Sequence, residues 1–316
     1  MGEFLHLLGL IAPIFCLMGA GALARAGGWL KPEADGSLLR LVVAVFYPCL
    51  ILKSVVGNAG LRDFGSIAAP ALTGFGSVAL GLAAAYGAGV LFRFQKGHGL
   101  RTFAVASAIY NYGYMAIPLV AELFPGATGT LFVYNFGVDV ALWTVGMLMM
   151  AGGTLREAWR KVANPTVLAL VAGLALNATA PENWLPGFVF AGIGMLAGCA
   201  VPLGLLMVGA ILSEFFARSG ELLDIKTSLL GVALRLGLLP LLFLLAARLL
   251  PVAEETRQVL AVQAAMPSGV FTIALARHYG GHLVTAVRVV FATTVASFFL
   301  TPLWLGAGQW LLEKMR

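Results

Sequence analysis

Ten apolar runs set the terms for this chain. They fall at roughly 4–24, 36–57, 66–92, 102–123, 128–151, 165–180, 185–215, 226–250, 256–277 and 283–312. A bilayer core of ~30 Å needs about 20 mostly apolar residues to be crossed as a helix. The chain is 60% hydrophobic and 11% charged over 316 residues, whereas a soluble domain carries about 25% charged residues. No single soluble core of this size hides so much apolar sequence. The reading is an all-α integral membrane protein of ten transmembrane helices, in a cell (inner) membrane, with no attached soluble domain.

Charge and cysteine narrow the function classes. The net charge is +6, but the basic residues stand one to three at a time between apolar runs and form no basic face, which speaks against a nucleic-acid partner. The first positive charge, Arg25, follows the first run, so that run reads as a retained membrane helix rather than a cleaved leader. Setting aside Arg40, Arg235 and Arg288 leaves seventeen Lys and Arg in loops, tails or span ends; with the N-terminus outside, eleven fall on the inner side and six on the outer. The positive-inside rule therefore predicts both termini outside the cytoplasm. The segment 154–161, with Arg156, Arg160 and Lys161, is expected to lie as a short basic helix on the membrane surface. Cys16, Cys49 and Cys199 fall inside apolar runs without CxxC spacing and read as small buried hydrophobes.

The two halves of the chain follow one plan. Tyr47-Pro48 in span two matches Val201-Pro202 in span seven; Asn111, Gly113, Ile117 and Leu119 in span four match Pro267, Gly269, Ile273 and Leu275 in span nine; Phe136, Val140 and Ala141 match Phe291, Val295 and Ala296. The offset stays near 155 in all three places. Five spans is an odd number, so the second copy must enter the membrane from the opposite side. The predicted organisation is two inverted five-helix repeats, 1–152 and 165–316, joined by an interfacial linker over 153–164. Inverted repeats are an architecture of secondary transporters that bind substrate near the bilayer midplane.

Spans four and nine carry breakable, polar stretches at matching positions. Span four reads Tyr110-Asn111-Tyr112-Gly113-Tyr114-Met115-Ala116-Ile117-Pro118, and span nine reads Gln263-Ala264-Ala265-Met266-Pro267-Ser268-Gly269. Proline removes a backbone donor and glycine permits unusual dihedrals. Nonhelical backbone at this depth must be buried in protein or face a wet cavity. A simple kink would explain either stretch; the coincidence of both points to a binding site. If both unwind, the N-termini of their second halves face one another, each with unpaired N–H groups and about half a positive charge. Such a pair of ends suits a carboxylate. The Asn111 side chain and the Ser268 hydroxyl can add hydrogen bonds, and Tyr112, Tyr114 and Met115 an amphipathic wall.

These strings also resemble the auxin efflux carrier family. The segment Tyr110 to Pro118 is similar to its Asn-x-Gly-Phe-x-Gly-Ile-Pro motif, with Ala116 where the family favours Gly. Phe46-Tyr47-Pro48-Cys49-Leu50, Asn164-Pro165, Val201-Pro202-Leu203 with Gly209-Ala210, and Ala264-Ala265-Met266-Pro267 followed by Arg277-His278-Tyr279-Gly280 extend the likeness in the family's order. The resemblance implies crossing broken helices four and nine, a scaffold domain of helices 1, 2, 6 and 7, a transport domain of helices 3–5 and 8–10, and a homodimer. It carries the family's crossover asparagine to Asn111 and its crossover proline to Pro267. It also implies an organic-acid substrate, since bacterial members are linked to organic acids and plant members export auxin. The candidate substrate site is Asn111, Tyr112, Gly113, Met115, Pro267, Ser268 and Gly269, with Pro48 and Pro202.

Two charges sit deep within spans, Asp139 near the centre of span five and Arg235 a little off the centre of span eight. A charge at the bilayer centre costs on the order of 3 kcal/mol on insertion scales and demands a partner, water or protonation. Either the two pair and fix packing, or Asp139, beside Asn135, takes up and releases a proton during transport. Gln263, Thr293, Thr294 and Ser297 can line a cavity, bind sodium or bond between helices. Arg288 reads as snorkelling to the interface. His6, His98, His278 and His282 have no zinc spacing, and neither a Walker A string nor a GxSxG elbow is present. The sequence thus predicts a non-enzymatic secondary transporter of small organic anions, such as auxin-like or dicarboxylic acids, working by elevator-type alternating access. No metal or cofactor is expected beyond a coupling proton or sodium ion. A sodium-coupled bile-acid-type symporter is the near alternative, and a multispan membrane enzyme the distant one. A channel lacks a continuous polar stripe, and a receptor lacks a signalling domain.

Overall fold

Lipid offers a backbone no water, so each apolar run must satisfy its own N–H and C=O groups, and helix does so within one segment. The structure is a computed structural model that describes residues 2–94, 98–151, 160, 162–179, 185–216 and 224–315. The surface helix expected over 154–161 lies, Arg160 aside, outside the described residues. Among the described residues the helical segments are α1 (Gly2–Ala26), α2 (Pro32–Val55), α3 (Phe64–Leu91), α4 (His98–Ala108), α5 (Ala116–Leu123), α6 (Pro125–Met150), α7 (Pro165–Thr179), α8 (Gly187–Phe216), α9 (Ile225–Leu249), α10 (Glu254–Ala264), α11 (Phe271–His278) and α12 (Leu283–Glu313).

Seven of these are long and apolar enough to cross a membrane: α1, α2, α3, α6, α8, α9 and α12. The shorter α7 is closed at its start by Asn164, whose side chain accepts from the Val167 N–H. Its far end is tied down by buried Asn177, which donates to the carbonyls of Asn58 and Leu61 and accepts from the Gly57 N–H. The last four segments form two pairs, α4 with α5 and α10 with α11. Each pair is one apolar run interrupted near its middle, where the proline and glycine stretches of spans four and nine fall.

Proline is absorbed inside the long helices by local accounting. Pro240 in α9 cannot donate to the carbonyl four residues back, Leu236. The Trp304 indole N–H, from α12, donates to that carbonyl at 2.7 Å instead. A wide π turn over Leu234–Leu238 precedes this proline, and another over Val42–Phe46 precedes Pro48 in α2. Such turns insert an extra residue and re-aim side chains; the turn in α9 contains Arg235.

The helices pack in two groups. α1, α2, α7 and α8 pack on one another, while α3 packs on α4 and α6, and α12 packs on α4, α9, α10 and α11. Without a hydrophobic drive between helices in lipid, small residues that allow close approach decide the contacts. A Cβ at Gly209 of α8 would collide with the Met18 backbone of α1, and one at Gly137 of α6 would collide with the Ala71 backbone of α3. The groups meet where α1 touches α12 and α2 touches α6. Burial separates centre from rim: 72% of an apolar 18-residue stretch of α6 is buried inside the protein against 22% of the corresponding stretch of α2. Cys16 and Cys199 are exposed and Cys49 is half-buried, which corrects the expectation of buried thiols. An apolar side chain in lipid has no need of a protein interior.

Candidate crossover site

The two interruptions cross and bond to each other. Tyr110 and Ser268 form an antiparallel bridge. The Asn111 N–H donates to the Pro267 carbonyl at 2.7 Å, and the Gly269 N–H donates to the Ile109 carbonyl at 2.9 Å. Two backbone N–H groups at the break are therefore consumed by the crossing itself. A Cβ on Gly269 would lie 3.0 Å from the Tyr110 carbonyl oxygen, a tight contact that glycine avoids. Beyond the crossing α5 and α11 begin without any side-chain cap, leaving the positive ends of both helices to backbone and cavity.

A cavity of about 240 Å³ adjoins this crossing. Asn111, Tyr112, Gly113 and Gly269 line it, with Asn135 and Asp139 of α6. Its opposite wall comes from the other packing group: Val43, Tyr47 and Ile51 of α2, and Thr166, Val167 and Leu170 of α7. The cavity thus lies on the seam between the two groups. Tyr114, Phe132, Phe136, Trp143 and Phe271 make it strongly aromatic. Among the described lining residues none is Lys or Arg, and Asp139 is the carboxylate.

A polar network fixes the wall. The Tyr112 phenol donates to Asp139 Oδ1 at 2.6 Å. The Tyr112 carbonyl accepts from the amides of Asn135, at 3.0 Å, and Gln263, at 3.3 Å. Gln263 also donates to Asn135 Oδ1 at 3.1 Å, so both breaks and α6 are joined through two amide side chains. Behind the crossing the Tyr110 phenol shares hydrogen bonds with Ser77, at 2.7 Å, and Tyr134, at 3.0 Å.

The remaining sequence candidates are distributed around this centre. Met115, Pro267, Ser268, Gln263 and Arg235 are buried and stand behind the cavity lining. The Ser268 N–H donates to Thr293 Oγ1 at 3.2 Å, and the Ser268 hydroxyl has no hydrogen-bond partner. Pro48 is half-buried and Pro202 faces outward from α8; neither lines the cavity. The pairing considered for Asp139 and Arg235 is not made. Asp139 is held by Tyr112, whereas Arg235 Nε donates to the Met266 carbonyl at 2.8 Å and Nη2 to the carbonyls of Gln263 and Ala264 at 2.9 and 3.1 Å. Arg288 forms an ion pair with Asp224, the residue before α9, at 3.3 Å. Sequence reasoning passed over Tyr47, Trp143 and Thr166 as lining residues. Trp143 follows Asp139 by one helical turn, a spacing that could have flagged it.

Comparison with known proteins places the chain among membrane transport proteins. A family model described as membrane transport protein matches the chain twice in tandem, over residues 6–158 and 155–305. An uncharacterized transporter of Methanothermobacter thermautotrophicus is 26% identical over 306 residues, covering 93% of this chain and 96% of that protein. An uncharacterized transporter of Methanocaldococcus jannaschii is 21% identical over 300 residues, covering 92% of this chain and 95% of its own. Matched in both halves by a single family model, this multi-pass membrane protein belongs to the auxin efflux carrier-like family of membrane transport proteins.

Proposed function

We propose that the chain is a secondary transporter of small organic anions, with the substrate bound in the cavity beside the crossing of α4–α5 and α10–α11. The observation that carries the reading is the pair of interrupted helices bonded across Asn111 and Gly269 at the edge of an aromatic cavity. The uncapped starts of α5 and α11 supply the positive ends for a carboxylate, Asn111 a polar side chain, and the aromatic walls the apolar contact. In this reading the chain forms ten spans in two inverted repeats, which the tandem family matches support. The group α1, α2, α7 and α8 is the scaffold, the rest moves against it in an elevator-type cycle, and the protein works as a homodimer with both termini outside.

In this reading Asp139 brings a proton into the cycle. A second negative charge about 4 Å from a carboxylate costs about 4 kcal/mol at an effective dielectric of 20. An anion and an ionised Asp139 therefore compete for one cavity, and the anion binds with Asp139 protonated. Transport is then coupled to a proton through electrostatics, without a separate ion site.

The test is a thermal-shift panel of the purified protein in detergent. Mono- and dicarboxylates, indole acids and bile acids are compared with and without sodium, for wild type and Asn111→Ala. A carboxylate that stabilises wild type by several degrees and loses its effect in the variant is the expected result. Stabilisation that requires sodium would instead favour the bile-acid-type symporter. Equal stabilisation of the variant would move the site away from the crossing.

A further inference from the structure

Arg235 is 0% exposed, lies in a helix long and apolar enough to cross a membrane, and has no carboxylate within ion-pair distance among the described residues. Its three hydrogen bonds all go to backbone carbonyls at one place, those of Gln263, Ala264 and Met266. These carbonyls are the C-terminal end of α10 and the first residues of the break. Gln263 and Ala264 have lost their i+4 donors, because Pro267 has no N–H and the Ser268 N–H goes to Thr293, although the Met266 N–H still reaches the Gln263 carbonyl at 3.3 Å. The end of α10 carries about half a negative charge. Converging carbonyls at the end of a broken membrane helix are the kind of group that holds a monovalent cation in transporters. Here the Tyr110 and Phe243 rings close the cradle, at 4.7 and 5.2 Å from the guanidinium carbon. Nη1 has no hydrogen-bond partner, and neither has Gln263 Oε1. The side chain is thus held as a cation, by charge and π faces, rather than as one member of an ion pair.

We infer that the cradle of Gln263, Ala264 and Met266 carbonyls is a monovalent-cation site that the protein fills with its own tethered guanidinium. The π turn over Leu234–Leu238 aims the side chain at it. The intact protein therefore takes no sodium at this place, and α10 keeps its compensating charge throughout the cycle. Removing the side chain opens the site to a cation from solution. The inference bears on the coupling ion of the proposed transporter, but it stands on the geometry at the end of α10, and its test uses no substrate.

The experiment compares wild type, Arg235→Ala, Arg235→Lys and Arg235→Met by thermal unfolding of the detergent-purified protein. Each is measured in choline chloride and with tens of millimolar guanidinium or sodium chloride added. The expected result is that wild type and Arg235→Lys are unmoved by either cation at these concentrations. Arg235→Ala starts several degrees lower and rises by several degrees with guanidinium. Arg235→Met, with a side chain of similar length and no charge, stays low in every salt. If Arg235→Ala cannot be purified, the Lys and Met variants decide the matter. A Met variant as stable as the Lys variant means packing rather than charge fills the cradle, and overturns the inference. So does an Arg235→Ala protein indifferent to guanidinium, and so does a wild type stabilised by sodium. A failed substrate panel alongside a guanidinium-responsive Arg235→Ala would sink the transport reading alone.

Discussion

The two interruptions meet as partners yet are finished differently. On the α10 side every carbonyl from Gln263 to Pro267 has a donor: Arg235 serves Gln263, Ala264 and Met266, Thr301 serves Ala265, and the Asn111 N–H serves Pro267. On the α4 side the Ile109 and Tyr110 carbonyls are taken by the Gly269 and Tyr112 N–H groups. The residues that follow, Asn111, Tyr112 and Gly113, turn toward the cavity. The carbonyls that end α10 are closed off by a buried cation, whereas Gly269, Val270 and Phe271 beyond them share the cavity lining with the α4 side. Matching interruptions are therefore completed by different partners.

The largest way to break this contrast is to push the crossing apart. Gly269→Val would drive a branched side chain against the Tyr110 carbonyl oxygen, which a bare Cβ already approaches to 3.0 Å. Backbone cannot rotate away as a flexible side chain can. The expected cost is about 3 kcal/mol, the upper end of the range for an overpacked core, with both bridging hydrogen bonds at risk. Loss of folded protein by size-exclusion chromatography, or a drop of many degrees in melting temperature, is the outcome to look for. A Gly269→Val protein as stable as wild type would mean that the two breaks do not depend on their contact.

A change of intermediate size sharpens the cavity side. Asp139→Asn leaves an oxygen to accept from the Tyr112 phenol and removes the competing charge. Carboxylate binding, read by thermal shift or by exchange in liposomes, should then lose its dependence on pH. At the alkaline end affinity should rise by up to about a thousandfold, the equivalent of about 4 kcal/mol. Uptake driven by an imposed pH gradient should disappear while exchange at equal pH persists. Proton-driven uptake surviving in Asp139→Asn would place the coupling group elsewhere.

Much of this molecule is legible in its sequence because lipid simplifies the rules. Long apolar runs read as helices, and polar, glycine-bearing stretches at matching places in both halves read as interruptions; both breaks fall where Asn111 and Pro267 stand. The pairing of charges was less accessible. Asp139 and Arg235 invited an ion pair because each was known only as a charge at depth. Arg235 is satisfied instead by carbonyls, which every residue carries and which leave no mark in a sequence. The cavity walls were hidden for a related reason. Tyr47 and Thr166 lie far from Asn111 along the chain, and α2 and α7 reach the crossing only once the helices have packed. Asn177 makes the same point at a helix end, since its three bonds all go to a loop more than a hundred residues earlier.

The smallest effect belongs to helix ends in water, the counterpart of the buried ends at the crossing. Asp63 begins α3, accepting from the Ser66 N–H at 3.0 Å while the Ser66 hydroxyl donates to the Asp63 carbonyl at 2.8 Å. Hydrogen bonds from the Ser66 backbone, and next from its side chain, hold this carboxyl below the ordinary carboxylate value. A lowered folded value means that the cap's contribution is present above the unfolded value and is lost as pH falls through the folded one. Asp63→Ala should therefore melt slightly lower than wild type at neutral pH, by about a degree or two, and the gap should close in strong acid. Asp63→Asn, which can cap without ionising, should recover much of the loss and remove the pH dependence of the difference. The contrast with Arg235 is the informative part. A helix end that water can reach needs only one replaceable acceptor, whereas the end of α10 must carry its counter-charge within the protein. A melting-temperature loss in Asp63→Ala as large as in Arg235→Ala would show that burial does not separate the two kinds of end.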